Sequence, residues 1–90
     1  MSNIDMYSSG HCPYCTQAEQ LLARKGIKTL NKISIDDNPD QKVAMMALTG
    51  RRTVPQIFIG GTHVGGYDDL VKLDRAGKLD ALLQSQDRME

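Results

Sequence analysis

Apolar and polar residues alternate through Ile4-Asp5-Met6-Tyr7-Ser8. A period of two marks a half-buried strand. From Pro13 the period changes: Cys15, Ala18 and Leu22 recur at i, i+3 and i+7, with Leu21 beside them. That spacing predicts a helix with one buried stripe. Pro13 suits the first helical position, where its missing N–H would be unpaired anyway, and Gly26 is a good stop. Residues 29–35 (TLNKISI) predict a second strand, with Ile33 and Ile35 on one face. A second helix is expected from Asn38 as cap and Pro39 as first helical residue, with Gln41 completing a capping-box pattern. Its expected inner face is Val43, Met46 and Ala47, its methionines serve as core filler, and Gly50 ends it.

The stretch PQIFIGGTHVGG, residues 55–66, holds two β-rich runs around Gly60-Gly61, a two-residue hairpin signal. Two short helices follow, YDDLVKLDRAG and KLDALLQ, with Leu70 and Leu73 apolar in the first and Leu79, Leu82 and Leu83 in the second. The tail SQDRME is expected to fray. The order is strand, helix, strand, helix, hairpin, helix, helix. The first three elements suit a parallel unit with a right-handed crossover. An α/β fold follows, with a four-stranded mixed sheet covered by helices on both faces.

Ninety residues suffice for one domain, expected to span 1–90. One Phe and no Trp make its core aliphatic. Eleven basic and eleven acidic residues cancel, so nothing favours nucleic acid or an acidic membrane surface as partner. The N-terminus MSNIDMYSS has neither a basic nor an apolar signal region, and no stretch approaches the roughly 20 apolar residues of a membrane span. A cytoplasmic protein is expected, and nothing demands more than a monomer.

Candidate chemistry centres on Cys12 and Cys15, the chain's two cysteines, in the stretch GHCPYC. A disulfide between them would close a very short loop, which stabilises a fold less than a long one. Zinc wants four ligands. Only His11 and His63 could join the cysteines: His11 is awkwardly adjacent to Cys12, and His63 reads as an ordinary polar strand residue. No metal site is expected. Redox chemistry fits the placement better. Cys12 immediately precedes the helix, where free N–H groups and the helix dipole favour a thiolate. Cys15 lies one turn inside, on the apolar stripe, and should be sheltered. The pair offers an exposed nucleophile with a second thiol in reach.

CPYC after a first strand, TVPQIFI before a hairpin and HVGGYDDL after it resemble the dithiol glutaredoxins, in their short bacterial form. The resemblance runs from about Ile4 to Leu83. It implies a thioredoxin-like fold with sheet order 2-1-3-4. It also implies a glutathione-dependent thiol–disulfide oxidoreductase that reduces protein–glutathione mixed disulfides and protein disulfides. By position, Cys12 is the nucleophile and Cys15 the resolving thiol. Tyr14 borders the glutathione groove, Val54 pairs with the cysteinyl backbone beside Thr53, and Pro55 is a cis-proline facing the cysteines. Gly66, Tyr67 and Asp68 hold the γ-glutamyl end. Glutathione is then a co-substrate rather than a tightly bound cofactor. Glutathione reductase and NADPH act only through it, and glutathionylated or disulfide-bonded proteins are the other partners.

The physical chemistry agrees with those roles. A carboxylate suits the N–H groups at a helix start, an ammonium suits Asp68, and Pro55 cannot donate to a sheet ladder. One departure stands out: the family often has a lysine three residues before the nucleophile, where this chain has Ser9. Lys42, Arg51 or Arg52 could meet the glycyl carboxylate instead, Lys42 being the preferred choice from its position in the second helix. Two other functions stay in play. One is a relative reduced by thioredoxin reductase, which TVP and GGYD disfavour. The other is a carrier of an iron–sulfur cluster bridged by Cys12 and glutathione, which the rigid Pro13 disfavours.

Overall fold

The computed structural model of the chain describes residues 4–27 and 30–87. The strands are β1 (Ile4–Ser8), β2 (Asn31–Ser34), β3 (Gln56–Ile59) and β4 (Thr62–Gly65). The helices are α1 (Pro13–Arg24), α2 (Pro39–Thr49), α3 (Tyr67–Arg75) and α4 (Lys78–Asp87). Thr29, expected in the second strand, and the last three tail residues lie outside the described residues. Residues 85–87, expected to fray, belong instead to α4.

The sheet order is β2-β1-β3-β4. β1 runs parallel to β2 and antiparallel to β3, and β3 is antiparallel to β4. Its register sets Ile4 opposite Ile59 and Met6 opposite Ile57. Strand alternation therefore puts these four on one face. There they pack with Ala18, Leu21 and Leu22 of α1, Leu70 of α3, and Leu79 and Leu83 of α4 in a single cluster. On the other face Tyr7 meets Phe58 edge-on, with ring centroids 6.2 Å apart. This is the expected α/β sheet with helices on both faces. Gly60 and Gly61 turn the hairpin at φ 58° and 85°. Two positive φ values in a row give the backbone twist that matches paired strands, and glycine adopts them without steric cost.

The inner side of α2 differs from expectation. Met45 is its fully buried residue, while Val43 and Leu48 are each 63% exposed, and Met46 and Ala47 also face outward. Residues 43–48 are apolar without a break, so periodicity cannot orient the helix. The choice falls on the side of Gln41, Ala44, Met45 and Thr49, all at least partly buried. The Asn38 side chain accepts from the Asp40 N–H at 3.0 Å, so the cap bond goes to the second helical residue rather than into the expected box with Gln41. Among the described residues, no helix is long and apolar enough to cross a membrane.

Candidate functional site

The site begins where α1 begins. Cys12 is the N-cap of that helix, with extended backbone at φ −110° and ψ 104°. Its Sγ accepts a hydrogen bond from the Cys15 N–H at 3.3 Å. The thiol in turn donates to the Val54 carbonyl at 3.4 Å. Residue types that cap helices usually do so with oxygen; here the Cys12 sulfur itself occupies that place. The two thiols are not bonded to each other. Cys12 is half-buried and Cys15 only 2% exposed, on the stripe with Ala18 and Leu22. Burial first, and the hydrogen bond with Cys12 second, push the Cys15 thiol up to about 12. The expected asymmetry between an accessible and a sheltered thiol is present in the fold.

Beside Cys12 lies a groove of about 340 Å³. Its walls are Tyr14 and Tyr67, whose rings stack at 6.2 Å and 30°. Thr53, Val54 and Pro55 line it from the loop before β3, and the Val54–Pro55 peptide bond is cis. Gly66 and Asp68 line it from the start of α3. The structure thus brings together every residue expected in the groove except Lys42. That lysine is exposed on α2 and is not part of the lining. The cation in the lining is Arg51.

Arg51 donates to the Asp69 carboxylate at 2.8 Å, and the Gly66 N–H donates to the same oxygen at 3.0 Å. The Arg51 guanidinium first, and the Gly66 N–H second, hold the Asp69 carboxyl below its usual range. Asp69 is a site residue that the sequence motifs did not single out. Its signal was its place as third residue of α3, where a carboxylate can reach back to the cap N–H. Gly65 completes this corner at φ 115°, and a Cβ there would collide with the Asp69 carboxylate.

A second surprise is Gln56, whose side chain is fully buried. Its Nε2 donates to the Thr53 carbonyl at 2.9 Å, and its Oε1 lies 2.8 Å from His63 Nε2. His63 also tilts over Phe58, with ring centroids 4.9 Å apart. His63 is the polar, exposed strand residue expected, in β4, and it also anchors an amide that holds the groove's lip at Thr53. Gln56→Leu should lower stability by about 1 kcal/mol, or about 4–8 °C in Tm for a domain of this size. A thermal melt checks this, and an unchanged Tm would mean that water replaces both bonds without loss.

Among the described residues, no group of three or more His, Cys, Asp or Glu side chains is placed to hold a metal ion. Comparison with known proteins gives a direct answer on kinship. The family model described as Glutaredoxin matches residues 4–64.

The chain belongs to the glutaredoxin family.

A glutaredoxin of Pseudomonas aeruginosa is 49% identical over 85 residues, covering 94% of this chain and 100% of that protein. Glutaredoxin 3 of Escherichia coli is 45% identical over 84 residues, covering 93% and 100%. Among solved structures, a buckwheat glutaredoxin–glutathione complex superposes with a TM-score of 0.87 at 32% identity, covering 99% of this chain and 83% of that one. The solution structure of a glutaredoxin from Brucella melitensis gives 0.81 at 47% identity, covering 92% and 89%. These relatives reach past the matched family segment into α3, so the start of that helix, with Gly66, Tyr67 and Asp68, falls within the shared glutaredoxin frame.

Proposed function

We propose that this glutaredoxin is a single domain over residues 1–90 that reduces protein–glutathione mixed disulfides and protein disulfides through the Cys12 thiolate. The observation that carries this is the meeting of Cys12 Sγ with the carbonyl of Val54, a residue that lines a groove walled by Tyr14 and Tyr67 with a helix start at one end. A neighbouring fold solved in complex with glutathione supports the choice of ligand. Cys12 attacks the glutathionyl sulfur, the target thiol leaves, and Cys12 carries glutathione. A second glutathione then attacks the adduct and releases oxidised glutathione. On a protein disulfide, Cys15 resolves the intermediate instead.

In the groove, the Val54 backbone pairs with the cysteinyl part beside Thr53 and Pro55. Tyr14 and Tyr67 flank the ligand. The N–H groups opening α3 after Gly66 take the γ-glutamyl carboxylate, and Asp68 takes the ammonium. Glutathione serves as co-substrate, glutathione reductase and NADPH act through it, and the protein works as a cytoplasmic monomer. The test is turnover of a glutathionylated peptide with glutathione, glutathione reductase and NADPH. Robust turnover supports the reading. No turnover, with a coloured dimer on anaerobic purification, would favour the cluster carrier.

The groove's positive charge separates two of the lysine's substitutes. Arg51→Gln should raise KM for the glutathionylated peptide by about tenfold, the loss of one charge-assisted hydrogen bond. Lys42→Gln, away from the lining, should leave KM nearly unchanged. The reverse ranking would return the carboxylate contact to Lys42.

A further inference from the structure

Ser9 lies in the turn between β1 and α1, and the mechanism above gives it no task. Its hydroxyl lies 3.0 and 2.9 Å from the two carboxylate oxygens of Asp36 and donates to them. The Gly10 N–H donates to Asp36 at 2.8 Å, and the His11 N–H donates to Ser9 Oγ at 3.4 Å. One carboxylate just past β2 therefore clasps the turn that leads into Cys12. Just before it, the Ile35 N–H donates to the Ser8 carbonyl at 3.0 Å, continuing the β1–β2 pairing up to the clasp. The Gly10 N–H first, and the Ser9 hydroxyl second, hold the Asp36 carboxyl below its usual range.

The clasped turn also borders the resolving cysteine. Ser9, Gly10, Cys15 and Thr16 line one cavity of about 360 Å³, on a different side from the glutathione groove. Glu19 and Lys32, paired at 3.0 Å, line it too. Burial first, then the Cys12 sulfur and the Glu19 carboxylate, disfavour a thiolate at Cys15, while the Ser9 backbone favours it. A sheltered thiol must lose its proton to attack, so the placement of the turn that lines its cavity bears on the step.

We propose that Asp36 is a positioning residue for Cys15: by holding Ser9 and Gly10 it fixes the turn that lines the cavity at the resolving sulfur. It thereby sets how fast Cys15 displaces glutathione from Cys12. This rests on the resolving role given to Cys15 above, extended to the glutathione adduct when no second glutathione is present. In the step, the Cys15 thiolate attacks Cys12 Sγ. The Cys12–glutathione S–S bond breaks, the Cys12–Cys15 bond forms, and glutathione leaves as a thiolate that takes up the proton Cys15 lost. No outside oxidant or reductant is needed.

The experiment mixes the reduced protein with one equivalent of glutathionylated peptide and quenches with acid over time. Mass spectrometry then reads both free peptide thiol, which Cys12 alone produces, and free glutathione, which only resolution releases. Asp36→Ala and Ser9→Ala should slow glutathione release about fivefold more than peptide release, as the loss of one ordinary hydrogen bond would give. Their release rates should match wild type only at higher pH, and Ser9→Thr, which keeps the hydroxyl, should restore them. Equal slowing of both steps, or release at the wild-type rate, would overturn the proposal. Cys15→Ser is run alongside. Should it release glutathione as fast as wild type without added thiol, the resolving role itself fails. Should it release none, that role stands, and the other variants report on the clasp alone.

Discussion

Cys12→Ser is expected to reduce turnover of glutathionylated peptide to the rate without enzyme, while Cys15→Ser keeps most of it. The thiolate is the attacking species, and a serine hydroxyl cannot replace it in exchange between sulfurs. Cys12 is the accessible thiol beside the groove, since its sulfur contacts the Val54 carbonyl whereas Cys15 is 2% exposed. With its thiol pushed up to about 12 by burial and by Cys12, Cys15 stays protonated at neutral pH and does not compete for substrate. The coupled assay with glutathione reductase and NADPH reads both variants, and a protein-disulfide substrate should expose the defect of Cys15→Ser. Loss of peptide turnover in a folded Cys15→Ser protein would reverse the assignment of the two sulfurs.

Gly65→Ala should be the most damaging single-methyl change at the site. A residue held at φ 115° lies where side chains other than hydrogen meet their own backbone, at a cost of about 1–3 kcal/mol. The new Cβ would also push against the Asp69 carboxylate, which holds Arg51 and the first N–H of the α3 cap. Stability and groove should therefore suffer together. Tm should fall by about 4–8 °C per kcal/mol, and KM for the glutathionylated peptide should rise. Gly61→Ala is the useful contrast. It also has positive φ, 85°, but open space around the added carbon, so it should cost stability without moving KM. Equal KM changes in the two variants would show that Asp69 does not organise the groove.

Much of this fold could be read from local chemistry. Pro13 and Gly26 bound α1, and Gly60-Gly61 places the hairpin, because each acts through its own backbone freedom. The cysteines' asymmetry was legible too, since position relative to a helix start depends only on near neighbours. What escaped was long-range. Asp36 meets Ser9 across 27 residues, and Arg51 meets Asp69 across 18, distances at which no local period carries information. Gln56 defied its own polarity: a polar residue opening a strand reads as solvent-facing, yet two partners satisfy its amide and let it be buried. The second helix failed for the opposite reason. Its apolar run from Val43 to Leu48 offered too many candidate inner faces, and packing of Met45 chose among them.

In the proposed reaction, the sulfur that caps α1 is also the atom whose bonds change. A thiol or thiolate at Cys12 can accept the Cys15 N–H, but a sulfur tied into a disulfide is a poorer acceptor and turns to follow its new partner. On that reading each turnover loosens and remakes the side-chain cap of the helix, while the Cys15 N–H keeps its bond to the Cys12 carbonyl. The Cys15 amide proton becomes a built-in gauge of progress. Its resonance and its exchange with solvent should differ among reduced, glutathionylated and oxidised protein, so the chemical state of the enzyme could be followed without any label on the substrate.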